Sequence, residues 1–307
     1  MGLIQQTSTG QTRLLEPEHL VGRAPTCSLR INERFVSAQH AMLRWTGEYW
    51  DLKDLGSRNG TFLDGNRIKS GEETAVQKGS TIAFGKPEQQ WELLDILPPT
   101  VMAVTVDSGD AVTIDGELLA LPSSEDPQVT IYPGLEGGWL LEQPNESITA
   151  ITHLQTFEIA GHTWRFSCPE HTCRTSLANY SSDFEVRHLE LLFSVSRDEE
   201  HVQLHATYGT GRFDLGARNH HYTLLILARQ RLSDATEGLP ETSCGWTYLE
   251  DLLSGSNKTP SELNIDVYRI RKQFDAIGVL DAANIIERRP RTKQLRIGTG
   301  RIFVQVL

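Results

Sequence analysis

Three short polar blocks in this chain carry side chains that could do chemistry, and they come in a fixed order. Gly22-Arg23 is first, Ser37-Ala38-Gln39-His40 second, and Gly56-Ser57-Arg58-Asn59-Gly60-Thr61 third. Between them they supply guanidinium, hydroxyl, amide and imidazole groups, and nothing among them pairs a nucleophile with a base. A further concentration of charge lies at the C-terminal end, where nine basic side chains stand against four acidic ones from Asn264 to Leu307. Other reactive residue types form no pattern. Cys168 and Cys173 bracket His171 in CPEHTC, yet a fourth ligand and a second closely spaced cysteine pair are missing, so no metal is expected. The ten histidines, His220-His221 included, show no nucleophile or metal spacing, and no Gly-x-x-x-x-Gly-Lys loop occurs. No enzyme activity and no cofactor are expected.

The elements that must position these groups occupy 307 residues, enough for two or three domains. Hydrophobic residues make up 38% and charged residues 22%, a composition that can build cores. No run of about 18 apolar residues exists, and MGLIQQTSTGQ lacks the layout of a signal peptide, so a cytoplasmic location without membrane contact is expected. Four scattered cysteines do not make a disulfide framework, and reduced thiols are expected. The net charge of −11 argues against a chain coated in basic surface, which makes the distribution of charge more informative than its total.

Residues 1–97 alternate apolar and polar positions in short runs such as AMLRW, YWDLKDL and STIAFG. Asn59-Gly60 and Asp64-Gly65 supply turns that need positive φ. With no helical period in this stretch, an all-β sandwich is expected. Its three ordered polar blocks closely resemble the forkhead-associated (FHA) family. The resemblance implies a module that reads phosphothreonine peptides from loops at one end of the sandwich. By that match Arg23, Ser37, Arg58 and Asn59 contact the phosphopeptide, with Asn59 fixing the bound strand through its amide. Gly22 and Gly60 serve as turn residues, and His40 braces the Ser37 loop. The chemistry is consistent, because a phosphomonoester dianion calls for a bidentate guanidinium and further hydroxyl or amide donors. The arginine that family members often carry directly after the loop serine is replaced by Ala38.

Residues 98–180 read as an acidic, β-rich middle segment ending in a polar linker. Glu117, Asp126, Glu136, Glu142 and Glu146 lack the spacing of a calcium loop and are expected as a solvated acidic face.

Residues 181–307 read as an α+β domain: strands first, then a helix from His220-His221, a second over Trp246–Leu253, and a third after Thr259-Pro260-Ser261-Glu262. That tetrapeptide supplies an N-cap, a first-turn proline and a capping-box glutamate. On the third helix Leu263, Val267, Ile270, Phe274 and Ile277 form one buried stripe. Projection at about 100° per residue places Ser261, Ile265, Tyr268, Arg269, Lys272 and Ala276 on the exposed side, a face without acid that suits a phosphate-lined groove. The order of elements resembles the winged helix-turn-helix effector domain of OmpR-type response regulators, with LNIDVYRIRKQF similar to its recognition helix. That resemblance implies major-groove contact by the third helix. The hairpin bearing Arg288, Arg289, Arg291 and Lys293 would then be a wing on double-stranded DNA. The whole chain is thus expected to be multidomain: an FHA sandwich, a β-rich middle and a C-terminal winged helix. It would act as a bacterial transcription regulator in Ser/Thr-kinase signalling, with a phosphothreonine-containing protein as partner, either a kinase or another copy of itself. The alternative is an adaptor whose winged helix contacts proteins.

Overall fold

A computed structural model of the chain describes residues 1–134, 137–143, 148–169, 184–289 and 292–307. The chain divides into two compact units, Met1–Thr113 with Thr152–Ser176, and Ile114–Ile151 with Leu177–Leu307. The residues expected as a separate middle segment are therefore shared out between the two. Among the described residues no helix is long and apolar enough to cross a membrane.

The first unit is built on a β-sandwich. A six-stranded sheet runs Thr12–Leu14, Leu3–Gln6, Gln90–Asp95, Thr81–Phe84, Thr61–Leu63, Asn66–Arg67. A five-stranded sheet runs Leu29–Arg30, Glu18–Gly22, Ala41–Trp45, Trp50–Asp54, Glu73–Ala75. Alternation along each strand sends Ile4, Ile82, Trp91 and Leu93 from the first sheet and Val21, Leu43, Trp50 and Leu52 from the second into one core. A third, four-stranded sheet joins Ala111–Thr113, Met102–Thr105, His162–Ser167 and Thr156–Ile159. It is pinned to the sandwich by Arg165, whose Nη2 and Nε donate to the buried Glu16 carboxylate at 2.6 and 3.2 Å.

The second unit contains a four-stranded sheet of Leu119–Pro122, Pro127–Pro133, Trp139–Glu142 and Thr149–Ile151, each strand antiparallel to the next. Another sheet is ordered Gly211–Ala217, Val202–Tyr208, Glu190–Val195, Arg301–Val306, the last pair parallel. Among the described residues three α-helices follow: α1 (His221–Thr236), α2 (Leu249–Ser256) and α3 (Pro260–Ala276). A hairpin of Ile286–Arg289 and Gln294–Ile297 pairs with the short strand Thr247–Tyr248. That pairing is why α2 starts at Leu249 and not at Trp246. The N-terminus of α3 carries the full capping box. Thr259 Oγ1 accepts from Glu262 N, and Glu262 Oε2 accepts from Thr259 N at 2.8 Å. Leu263, Val267, Ile270 and Phe274 are buried as the stripe required, while Ile277 is half-buried. His221, at the start of α1, is fully buried; its Nδ1 lies 3.2 Å from Val202 O.

Replacing Arg165 with Met would leave Glu16 buried without its cation. The expected loss is about 3–5 kcal/mol of stability, read in urea unfolding of the full chain. The double change Glu16→Leu/Arg165→Met should recover most of it.

Candidate functional site

The polar blocks of the first unit lie where strands end. Glu18–Gly22 leads into Arg23, Trp50–Asp54 leads into the Gly56–Gly60 loop, and the Ser37 loop precedes Ala41–Trp45. Backbone bonds lace the first two segments together beyond the sheet: Arg23 N donates to Ser37 O at 2.9 Å, and Ala24 N to Ala38 O at 3.0 Å. So close is this approach that a Cβ on Gly22 would strike the Ala38 carbonyl oxygen.

His40 joins the Ser37 loop to the Gly60 turn. Its Nδ1 accepts from Ser37 N at 3.1 Å, and its Nε2 donates to Gly60 O at 3.1 Å. This assigns the proton to Nε2, since Nδ1 must keep a lone pair for the amide. Burial lowers the pKa of this fully enclosed ring, outweighing the opposite pull of Gly60 O and of the Asp54 charge, and so holds it neutral. The third loop winds around Asp54, whose carboxylate accepts from Gly56 N and Ser57 N at 2.9 Å each, Ser57 Oγ at 2.6 Å and Thr61 Oγ1 at 2.7 Å. Burial pushes this acid up, but the hydrogen bonds from Ser57, Thr61 and Gly56 prevail and hold its pKa at about 2. Gly60, at φ +86°, packs against the Arg67 guanidinium where a side chain would stand.

These supports bring the four expected phosphopeptide residues to one end of the sandwich. Ser37 Oγ accepts from Arg58 N at 3.1 Å, which leaves its own hydrogen to donate. Asn59 uses one Nδ2 hydrogen on Phe35 O at 2.7 Å, keeping its second N–H and its carbonyl. Arg23 and Arg58 are exposed, and among the described residues neither guanidinium is in an ion pair. Asp54 and Arg67 were missed in the sequence. An aspartate three residues before Ser57 and seven before Thr61 was the available signal for the first.

A model of the FHA domain matches residues 19–85. The N-terminal sandwich contains an FHA domain. FhaB of Mycobacterium tuberculosis is 38% identical over 73 residues, which cover 24% of this chain and 46% of that protein. Nibrin of Danio rerio is 32% identical over 96 residues, 30% of this chain and 12% of that protein. The chain thus spans about half the length of FhaB. Among solved structures, the FHA domain of FhaA, complexed with an intracellular domain of another protein, is 26% identical with a TM-score of 0.27. It covers 30% of this chain and 98% of its own. EmbR of Mycobacterium tuberculosis in complex with a low-affinity phosphopeptide is 22% identical with a TM-score of 0.28, covering 30% and 23%.

In the second unit the expected nucleic-acid face of α3 is only partly open. Ser261 and Arg269 are exposed, and Ile265 is half-buried. Tyr268, expected in solvent, is buried at 6% exposure among Leu118, Ala120, Tyr132 and Ala283. Lys272 is half-buried: its Nζ donates to Asp115 O at 2.8 Å and pairs with the carboxylates of Asp115 at 2.8 Å and Asp275 at 3.1 Å. Arg288, expected on the wing surface, has a side chain only 9% exposed, with Nε 2.5 Å from Glu142 Oε1. Arg271 Nη2 donates to Glu142 Oε2 and to Ile286 O, both at 2.9 Å. Glu142, expected on a solvated acidic face, is instead 3% exposed. Its burial favours the neutral acid, yet Arg271 and Arg288 outweigh that and lower its pKa, while Tyr132 Oη donates to it at 2.8 Å. The cause of these departures is one packing event: the sheet starting at Leu119 lies on the side of α3 that the helical projection left free.

On the hairpin, Arg289 and Lys293 are exposed, and the guanidinium carbons of Arg289 and Arg296 stand 4.2 and 4.4 Å from the Trp246 ring centre. Arg291, with Glu136 and Glu146 of the expected acidic face, lies outside the described residues, as do His171 and Cys173. Among the described residues no group of three His, Cys, Asp or Glu side chains could hold a metal ion.

Both supports of the FHA loops weaken on acidification. Asp54 contributes fully above its ordinary carboxyl value of 3.8 and loses that contribution as pH falls towards about 2. His40, whose pKa is lowered on folding, contributes fully above 6.5 and loses its share as pH falls below that value. Amide exchange at Ser37 should therefore quicken, relative to the sheet amides, as pH is lowered from 7 to 4, and exchange at Gly56 and Ser57 only as pH falls from 4 towards 2. Asp54→Ala should strand the Gly56 and Ser57 amides at a cost of about 1–3 kcal/mol, read as a lower urea midpoint.

Proposed function

We infer that this protein captures a phosphothreonine segment of a partner, or of another copy of itself, and is a signalling component of a Ser/Thr-kinase pathway. The observation that carries this is the set of unmet donors at one end of the sandwich. Arg23 and Arg58 have no ionic partner among the described residues, and the Ser37 hydroxyl hydrogen is unused beside them. A dianionic phosphate accepts from all three without displacing an existing ion pair. Nothing in the site activates a nucleophile, so the role is recognition and not catalysis.

For the second unit, the order of three helices and a strand-paired hairpin supports a winged helix acting on double-stranded DNA, which would make the protein a transcription regulator. The exposed Arg269, Arg289 and Lys293 support the same reading. The burial of Tyr268, Arg271 and Arg288 favours the other reading for the arrangement described, an adaptor in which this face serves protein contacts.

A phosphothreonine peptide library presented to the full chain should yield binders that lose affinity when dephosphorylated. Arg23→Ala should weaken them by roughly 10- to 150-fold, the worth of hydrogen bonds to a charged group. Equal capture of phosphorylated and unphosphorylated peptides, measured by fluorescence anisotropy, would overturn the reading.

A further inference from the structure

We propose that the sheet Leu119–Ile151 is a displaceable mask seated on a DNA-binding face of α3, its carboxylates standing where phosphates would otherwise lie. This rests on the reading of the second unit as a DNA-binding winged helix and adds to it the means by which that face is closed.

Three observations support the mask. The first is the pairing. Every cation it covers meets a carboxylate or carbonyl of the segment 114–151: Arg271 and Arg288 meet Glu142, and Lys272 meets Asp115. Ser261 Oγ also lies 3.4 Å from Asp126 Oδ1. A segment that places oxygen acceptors along a row of cations offers what a nucleic-acid backbone offers.

The second is the burial of charge. Around Glu142, Arg271 and Arg288 both meet one carboxylate out of water, while Tyr132 is kept protonated mainly by burial and then by the Glu142 charge. Among the described residues Arg271 Nε is buried without a hydrogen-bond partner. An apolar seam would hold two elements together without the desolvation cost of buried ions, whereas a face that must also meet a polyanion needs the guanidiniums.

The third is separability. Among the described residues the covering sheet shares backbone ladder hydrogen bonds only within its own four strands, and no strand between residues 190 and 306 joins that ladder. It can leave α3 without opening any backbone pairing of the helix-bearing part. What holds it is side-chain packing of Leu118, Ala120 and Tyr132 on Tyr268 and Ala283, the hydrogen bond from Glu117 N to Asp275 Oδ1 at 3.1 Å, and the ion pairs. Arg269, Arg289 and Lys293 remain exposed while the mask is on, and the full face would add Tyr268, Arg271, Lys272 and Arg288.

The test uses the full chain and a 30-base-pair duplex of mixed sequence, with anisotropy read at several salt concentrations. Two variants loosen the mask: Glu142→Gln removes the shared carboxylate, and Gly116→Val pushes on the Asp275 carboxylate, which a Cβ at this exposed turn would strike. Each should bind the duplex at least tenfold more tightly than the unaltered protein, with a steeper salt dependence. Adding Lys272→Ala to either should take back part of the gain and lower the salt slope. Hydrogen exchange should also show Pro127–Pro133 and Trp139–Glu142 opening when duplex is added. Should Glu142→Gln fail to fold, as judged by its melting curve, Gly116→Val decides. Equal, measurable binding by all forms would overturn the mask and leave the DNA reading in place. Absence of binding by every folded form at low salt would overturn both.

Discussion

A carboxylate taken out of water must be met by cations or give up its charge, and Glu142 is met twice. The second unit is organised around that requirement. Arg271 comes from the middle of α3, Arg288 from the hairpin and Glu142 from the covering sheet, so three elements distant in sequence are bound through one group. Tyr132 adds a donor to the same carboxylate and lays its ring near the Arg271 guanidinium, 5.2 Å from its centre. Remove the carboxylate and Arg271 and Arg288 lose the acid they share. The charge cluster and the apolar packing of Leu118, Ala120 and Tyr132 on Tyr268 together seat the sheet on α3.

The FHA domain uses the opposite arrangement. There the structural ionic and polar demands are met below the surface, by Asp54 with its four donors and by neutral His40 between two loops. Among the described residues Arg23 and Arg58 are in no ion pair, and both stand in solvent. A stiff, fully bonded floor under unpaired guanidiniums costs little to maintain and needs little reorganisation when an anion arrives. Arg271 and Arg288 are thus spent on internal cohesion, while Arg23 and Arg58 in the FHA loops are kept available.

The FHA loops were legible in the sequence because their signals are local and ordered. Gly22, Ser37, His40 and Gly60 each answer a constraint set by residues within a few positions or by the next loop. The cap of α3 and its first buried stripe were legible for the same reason. The second buried side was not. Helical projection assumes that one face meets the core and the other meets water, and it has no knowledge of a sheet that arrives from well over a hundred positions away. Tyr268 and Lys272 fit either environment, since each has an apolar body and a polar end. Glu142 read as solvent-exposed because an acid in an acidic stretch gives no sign of two arginines far along the chain. The start of α2 moved for a related reason, the pairing of Thr247 with Leu295.

Because the covering sheet precedes its helix in the chain, it must wait for its partner during synthesis. At about 5–20 residues per second, the last residue of α3 follows the last strand of the sheet by roughly 6–25 s. Throughout that interval Leu118, Ala120 and Tyr132 have no Tyr268 to cover them, and Glu142 has neither of its arginines. The nascent chain thus carries these apolar side chains without the helix that covers them, the kind of surface that chaperones hold and that neighbouring chains on a polysome can misuse. Codon choice between residues 152 and 276 would set how long that exposure lasts.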